Sequence, residues 1–65
     1  MKNLTLTAAR KRSGKTQKQV AKEIGVTEIA YKTYEYGTRT PSAPTGNSIA
    51  RVLGTTSEVL FGYKV

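Results

Sequence analysis

Sixty-five residues suffice for one domain and leave no room for a second, and a chain this short buries only about 60% of the surface its unfolded form exposes. With no cysteine there is no disulfide to staple it, and with no histidine and only four acids, no cofactor or metal cage is expected. Eleven Lys and Arg give a net charge of +7. Lys2, Arg10, Lys11, Arg12, Lys15, Lys18 and Lys22 all precede Glu23, the first acid. That asymmetry fits an anionic polymer or surface as partner, or a face that is merely solvated. No continuous apolar stretch follows Lys2, and none approaches the ~20 residues of a membrane span. A cytoplasmic chain with neither leader nor membrane anchor is therefore expected.

Helix punctuation divides the sequence into five short elements. The first is expected over Leu6 to Arg12, capped by Thr5 and stopped at Ser13-Gly14. Thr16-Gln17-Lys18-Gln19 has the form of a capping box, opening a second helix that closes at Gly25. Thr27 caps a third, which runs to Tyr36 and stops at Gly37. Thr38 to Ser42 is a loop containing a proline. Pro44 suits the first turn of a fourth helix reaching Leu53. Thr55 or Thr56 caps a last short one through Phe61, before Gly62. No strand alternation competes with this reading, so the chain is expected to be all-α, one domain over residues 1–65.

Successive helical residues are rotated by about 100°. In the second helix Val20, Ala21 and Ile24 share one arc, while Lys18, Lys22 and Glu23 point elsewhere. In the third, Ala30, Tyr31 and Tyr34 cluster on one side. Glu28, Ile29, Lys32, Thr33 and Tyr36 spread over roughly 140° of the other. An isoleucine and a tyrosine among polar residues are unusual on a face meant for water. Residues 17–36 thus form two helices joined by a tight glycine turn, a helix-turn-helix. Val20 and Ile24 bury its first helix, Val26 plugs the turn, and Tyr31 and Tyr34 anchor the second. Ala21 lets the helices cross closely.

With these residues in place, the sequence resembles the phage repressor and Cro proteins, the XRE-like helix-turn-helix family. The resemblance runs from about Leu6 to Gly62. It is carried by Arg10, Gly14-x-Thr16-Gln17, Val20-Ala21, Gly25-Val26-Thr27, Tyr34-Glu35-x-Gly37-x-Arg39-x-Pro41-Ser42 and Ile49-Ala50-x-x-Leu53-Gly54. It implies a five-helix, lambda-repressor-like fold that binds double-stranded DNA at a pseudo-palindromic operator, as a homodimer. Gln17 matches a glutamine that grips a phosphate. Thr27, Glu28, Ile29, Lys32 and Thr33 match positions facing base edges or adjacent phosphates, and Arg39 matches a basic residue of the following loop. Lys15, Lys18 and Tyr36 are expected to flank these on the phosphate backbone, and the resemblance favours an internal Arg10–Glu35 ion pair. Ala9 and Gly46 are smaller than the family's usual residues and imply a thin core.

Several residues carry two readings. Arg10 and Glu35 are an internal pair or surface charges. Glu28 accepts from a cytosine or only favours its helix N-terminus, and Ile29 meets a thymine methyl or lies buried under the turn. Tyr31 and Tyr34 read as core rather than as stacking platforms. Val59, Leu60, Phe61 and Tyr63 are core filler or a dimer patch, with Val59, Phe61 and Tyr63 as interface candidates. No arrangement of Ser, Lys, Tyr and Glu suggests an enzyme, and no small-molecule ligand is expected. The rival is a protein-interaction module of the same fold, an antitoxin or the partner of an anti-repressor. It should present a large apolar patch and a neutral third helix.

Overall fold

The computed structural model describes residues 2–62. Five helices follow in order: α1 (Leu4–Arg12), α2 (Gln17–Ile24), α3 (Glu28–Tyr36), α4 (Ala43–Leu53) and α5 (Ser57–Phe61). No strand occurs among the described residues. The fold is all-α, as the punctuation predicts.

The ends of α2 and α3 follow from local chemistry. Thr16 Oγ1 accepts from the Gln19 backbone N–H at 3.0 Å, and Gln19 Oε1 accepts from the Thr16 N–H at 2.8 Å. This reciprocal box satisfies two donors that a helix start leaves unpaired. Thr27 caps α3 by accepting from Ala30 N at 3.1 Å. Between the two helices Gly25 takes φ +79°, and Val26 N then reaches back to Ala21 O at 3.0 Å. A side chain is strained in that left-handed region whatever the space around it.

The first helix departs from the sequence reading. It starts at Leu4, and its cap is Asn3, whose side chain accepts from Leu6 N at 3.0 Å. Thr5, expected as the cap, lies inside the helix. Asn3 prevails because its Nδ2 also donates to Leu60 O at 2.8 Å, tying the start of α1 to α5. At the other end of the chain Thr56, rather than Thr55, caps α5.

The core draws on every helix: Leu6 and Ala9 from α1, Val20 and Ala21 from α2, Tyr31 from α3, Ile49, Ala50 and Leu53 from α4, and Leu60 from α5. Complete burial of Leu6, Val20 or Ile49 contributes about 1.5–3 kcal/mol each. Ala9 and Gly46 are buried where bulk is scarce, and Tyr31 is the largest side chain fully withdrawn from solvent. Tyr34 is half-buried and meets the Tyr31 ring edge-on at 6.4 Å between centroids. Ile24 and Val26 pack on the core from a half-buried position. The result holds α2 against α3 and α4, and leaves one side of α3 facing out.

Candidate nucleic-acid interface

The inward side of α3 is fixed by a charged cluster. Glu35 is only 4% exposed, and its Oε2 accepts from Arg10 Nε at 2.6 Å. Arg10 Nη2 approaches Oε1 at 3.4 Å, and Nη1 donates to Lys15 O at 3.0 Å. Thr7 Oγ1 and Gln17 Nε2 stand 3.0 and 3.1 Å from the same Oε1. One carboxylate therefore ties α1, the first residue of α2 and the end of α3, and Arg10 adds the turn before α2. Thr7 and Arg10 are three apart on α1 and share a face, but nothing in the sequence singles out Thr7.

Burial alone would push the Glu35 carboxyl up. The hydrogen bonds from Arg10 outweigh it, helped by the nearby Tyr31 hydroxyl, Gln17 and Thr7, and hold the carboxyl below the usual range. The same hydrogen bond to Glu35 raises Arg10 against the opposing cost of burial. Burial, reinforced by the neighbouring carboxylate, pushes the Tyr31 hydroxyl up, so it stays protonated. That hydroxyl is an electrostatic neighbour of Glu35 and Arg10 but closes no hydrogen bond of good geometry.

The outward side of α3 is different. Ile29 is 77% exposed and does not lie buried under the turn. Tyr36 is also exposed, at the far end of the same arc. Beside them Glu28 and Lys32 are about two-fifths exposed and pair at 3.5 Å across one helical turn. The Thr33 hydroxyl donates to Ala30 O at 2.6 Å. Large apolar side chains on a soluble helix ordinarily face the core. Here Ile29 stands exposed beside the Glu28–Lys32 pair.

The residues expected to meet phosphate lie in the turn before α2, on α2, at the end of α3 and in the loop after it. Lys18 is exposed, and Lys15 pairs with Glu23 at 3.0 Å. Arg39 is exposed in the loop after α3, where its backbone N–H reaches Thr33 O at 3.3 Å. Gln17 sits at the N-terminus of α2 with its amide nitrogen already on Glu35. Of the residues proposed for a dimer surface, Val59 is 60% exposed, Phe61 packs partly against the core, and Tyr63 lies outside the described residues.

A capped helix pair joined by a left-handed glycine, with a polar, partly apolar arc turned outward, defines a helix-turn-helix. The helix-turn-helix family profile matches residues 6–60, and the chain belongs to that family, in its XRE-type form. The family is one of DNA-binding regulators. No curated protein and no solved structure matches the chain. No helix among the described residues is long and apolar enough to cross a membrane.

Proposed function

We propose that the protein is a sequence-specific transcriptional repressor of phage or mobile-element type, acting in the cytoplasm on an inverted-repeat operator. The observation that carries this reading is the outward arc of α3, with Ile29 exposed beside the Glu28–Lys32 pair. The arc enters the major groove, and Thr27, Glu28, Ile29, Lys32 and Thr33 face base edges or the phosphates beside them. Gln17, Lys15, Lys18, Tyr36 and Arg39 hold the flanking backbone. Phosphate neutralisation by so basic a chain makes affinity fall steeply with salt. Bound protein blocks polymerase by occupancy.

One recognition helix reads few base pairs, so two copies are proposed to pair across a two-fold axis, placing their helices about 34 Å apart. The proposed contact is the C-terminal turn and the loop before α4, including Val59, Phe61 and Tyr63. Little area is available there, so pairing is expected on DNA rather than at micromolar concentration off it. Selection of bound duplexes from random DNA, followed by footprinting and stoichiometry, tests both points. An enriched inverted repeat protected by two copies is expected. A single site of one half-turn holding one copy at saturation would overturn the dimer, and no enrichment would overturn sequence-specific binding.

A protein-interaction module is the second reading. It is favoured by a groove of about 460 Å³ lined by Leu4, Tyr34, Leu60 and Phe61 together with Lys2 and Arg39. Leu4 is 72% exposed at its edge. The net charge of +7 favours DNA over this alternative.

A further inference from the structure

Resting on the DNA-binding reading, we infer that direct readout narrows to one G·C pair, recognised jointly by Glu28 and Lys32, beside one thymine methyl met by Ile29. The arc has five candidate readers, but two are already engaged. The only proton of the Thr33 hydroxyl goes to Ala30 O at 2.6 Å, and Thr27 Oγ1 is pinned at the first turn by the Ala30 N–H at 3.1 Å. While that bond holds, the Thr33 hydroxyl can accept from a base but not donate to one. Thr27 sits at a helix N-terminus, which suits a phosphate. This leaves the Lys32 ammonium as the strong donor of the arc and the Glu28 carboxylate as its strong acceptor.

These two groups are held side by side, 3.5 Å apart. The major-groove edge of a G·C pair presents the complementary arrangement: guanine N7 and O6 accept, and cytosine N4 donates. O6 and N4 are themselves hydrogen-bonded across the pair, about 2.9 Å apart. An ammonium on guanine and a carboxylate on cytosine can therefore stay neighbours while each meets its own base. An A·T pair also sets an acceptor, thymine O4, beside a donor, adenine N6, but there the ammonium meets a single acceptor, where guanine offers N7 and O6 together. Because Glu28 and Lys32 are each about two-fifths exposed, their mutual contact opens readily toward a base.

Ile29 follows Glu28 and is turned about 100° from it. Its side chain is 77% exposed and has no place in the core. The thymine methyl is the apolar group that the major groove displays. The half-site core is thus a G·C pair close to a thymine.

The test is selection from random duplexes at moderate salt with the wild type, Lys32→Ala, Glu28→Gln and Thr33→Val. Each thymine of the consensus is then replaced in turn by deoxyuridine, which lacks the methyl. The wild-type consensus should hold an invariant G·C, and Lys32→Ala or Glu28→Gln should relax that position by about ten-fold. Thr33→Val should leave the consensus unchanged. Deoxyuridine at one position should weaken wild-type binding about four-fold, and Ile29→Ala should erase that difference. An enriched consensus without the G·C overturns the inference while leaving DNA binding intact. So does indifference to every thymine methyl, or a uracil penalty that persists in Ile29→Ala. No enrichment at all would overturn the DNA-binding reading itself, and the inference with it.

Discussion

Helix α3 carries two glutamate ion pairs, one near each end, and they differ in almost everything but charge. Glu35 is 4% exposed and meets Arg10 at 2.6 Å, whereas Glu28 is 42% exposed and meets Lys32 at 3.5 Å. Glu35 also takes Thr7 and Gln17 as partners, and links residues from three helices. Among the described residues Glu28 pairs only with Lys32 of its own helix. The inward pair cannot exchange its partner for a ligand without leaving a buried charge exposed to little water, which makes it structural. The outward pair loses little when it opens, which leaves both groups available to another molecule. Burial, not residue type, separates the two roles.

The largest effect should come from breaking the inward pair. Arg10→Met or Glu35→Gln alone should destabilise by about 3 kcal/mol in urea denaturation, because each removes the opposite charge from a withdrawn group whose remaining neutral hydrogen bonds compensate only in part. Glu28→Gln should shift stability by less than about 0.5 kcal/mol. A small loss at Glu35 would show that the two pairs do not differ as described.

The same contrast has a pH signature. The Glu35 carboxyl is lowered in the folded protein, so its contribution is complete above the usual carboxylate range and disappears as pH falls through the lowered folded value. Stability followed from about pH 6 to about pH 3 should decline in the wild type and more shallowly in Glu35→Gln. Equal slopes would mean that Glu35 is no better stabilised as an anion in the folded state than in the unfolded one.

A smaller effect is expected at the turn that sets the angle between α2 and α3. Gly25→Ala should cost about 1–2 kcal/mol, from backbone strain alone. A Cβ there would meet nothing within 4 Å, so no packing term is added. The smallest effect on the inward side is Tyr31→Phe. Its buried hydroxyl lacks a hydrogen bond of good geometry, so removal should change stability by less than about 1 kcal/mol. A large loss would mean that the hydroxyl is a true member of the Glu35 cluster.

Much of this architecture is legible in the residues themselves. The capping box at Thr16, the turn at Gly25 and the cap at Thr27 are local chemistry, and they mark α2 and α3 closely. The two-faced character of α3 follows from its period, and the exposure of Ile29 and Tyr36 agrees with the outward arc. The start of α1 is not legible, because Asn3 caps it while bonded to Leu60, 57 residues away. Thr5 is also a capping type, though weaker than Asn, and loses to a residue that a tertiary contact holds in place. The link from Gln17 to Glu35 is hidden for the same reason, since it exists only once α2 and α3 have packed. Likewise the hydrogen bond of Thr33 to Ala30 removes its donor from the outward face, and residue type alone does not reveal it.

The central claim is that the outward side of α3, framed by the start of α2 and the loop at Arg39, is the surface that meets DNA. Backbone amide shifts of the labelled protein, followed by NMR during titration with a selected duplex, test it most directly. The largest perturbations should fall at Gln17 and Lys18, from Thr27 to Thr33, and from Tyr36 to Arg39, with small changes at Leu6, Ile49 and Leu53 in the core. Perturbations concentrated instead around Leu4 and Leu60, with Ile29 and Lys32 unmoved, would contradict the account.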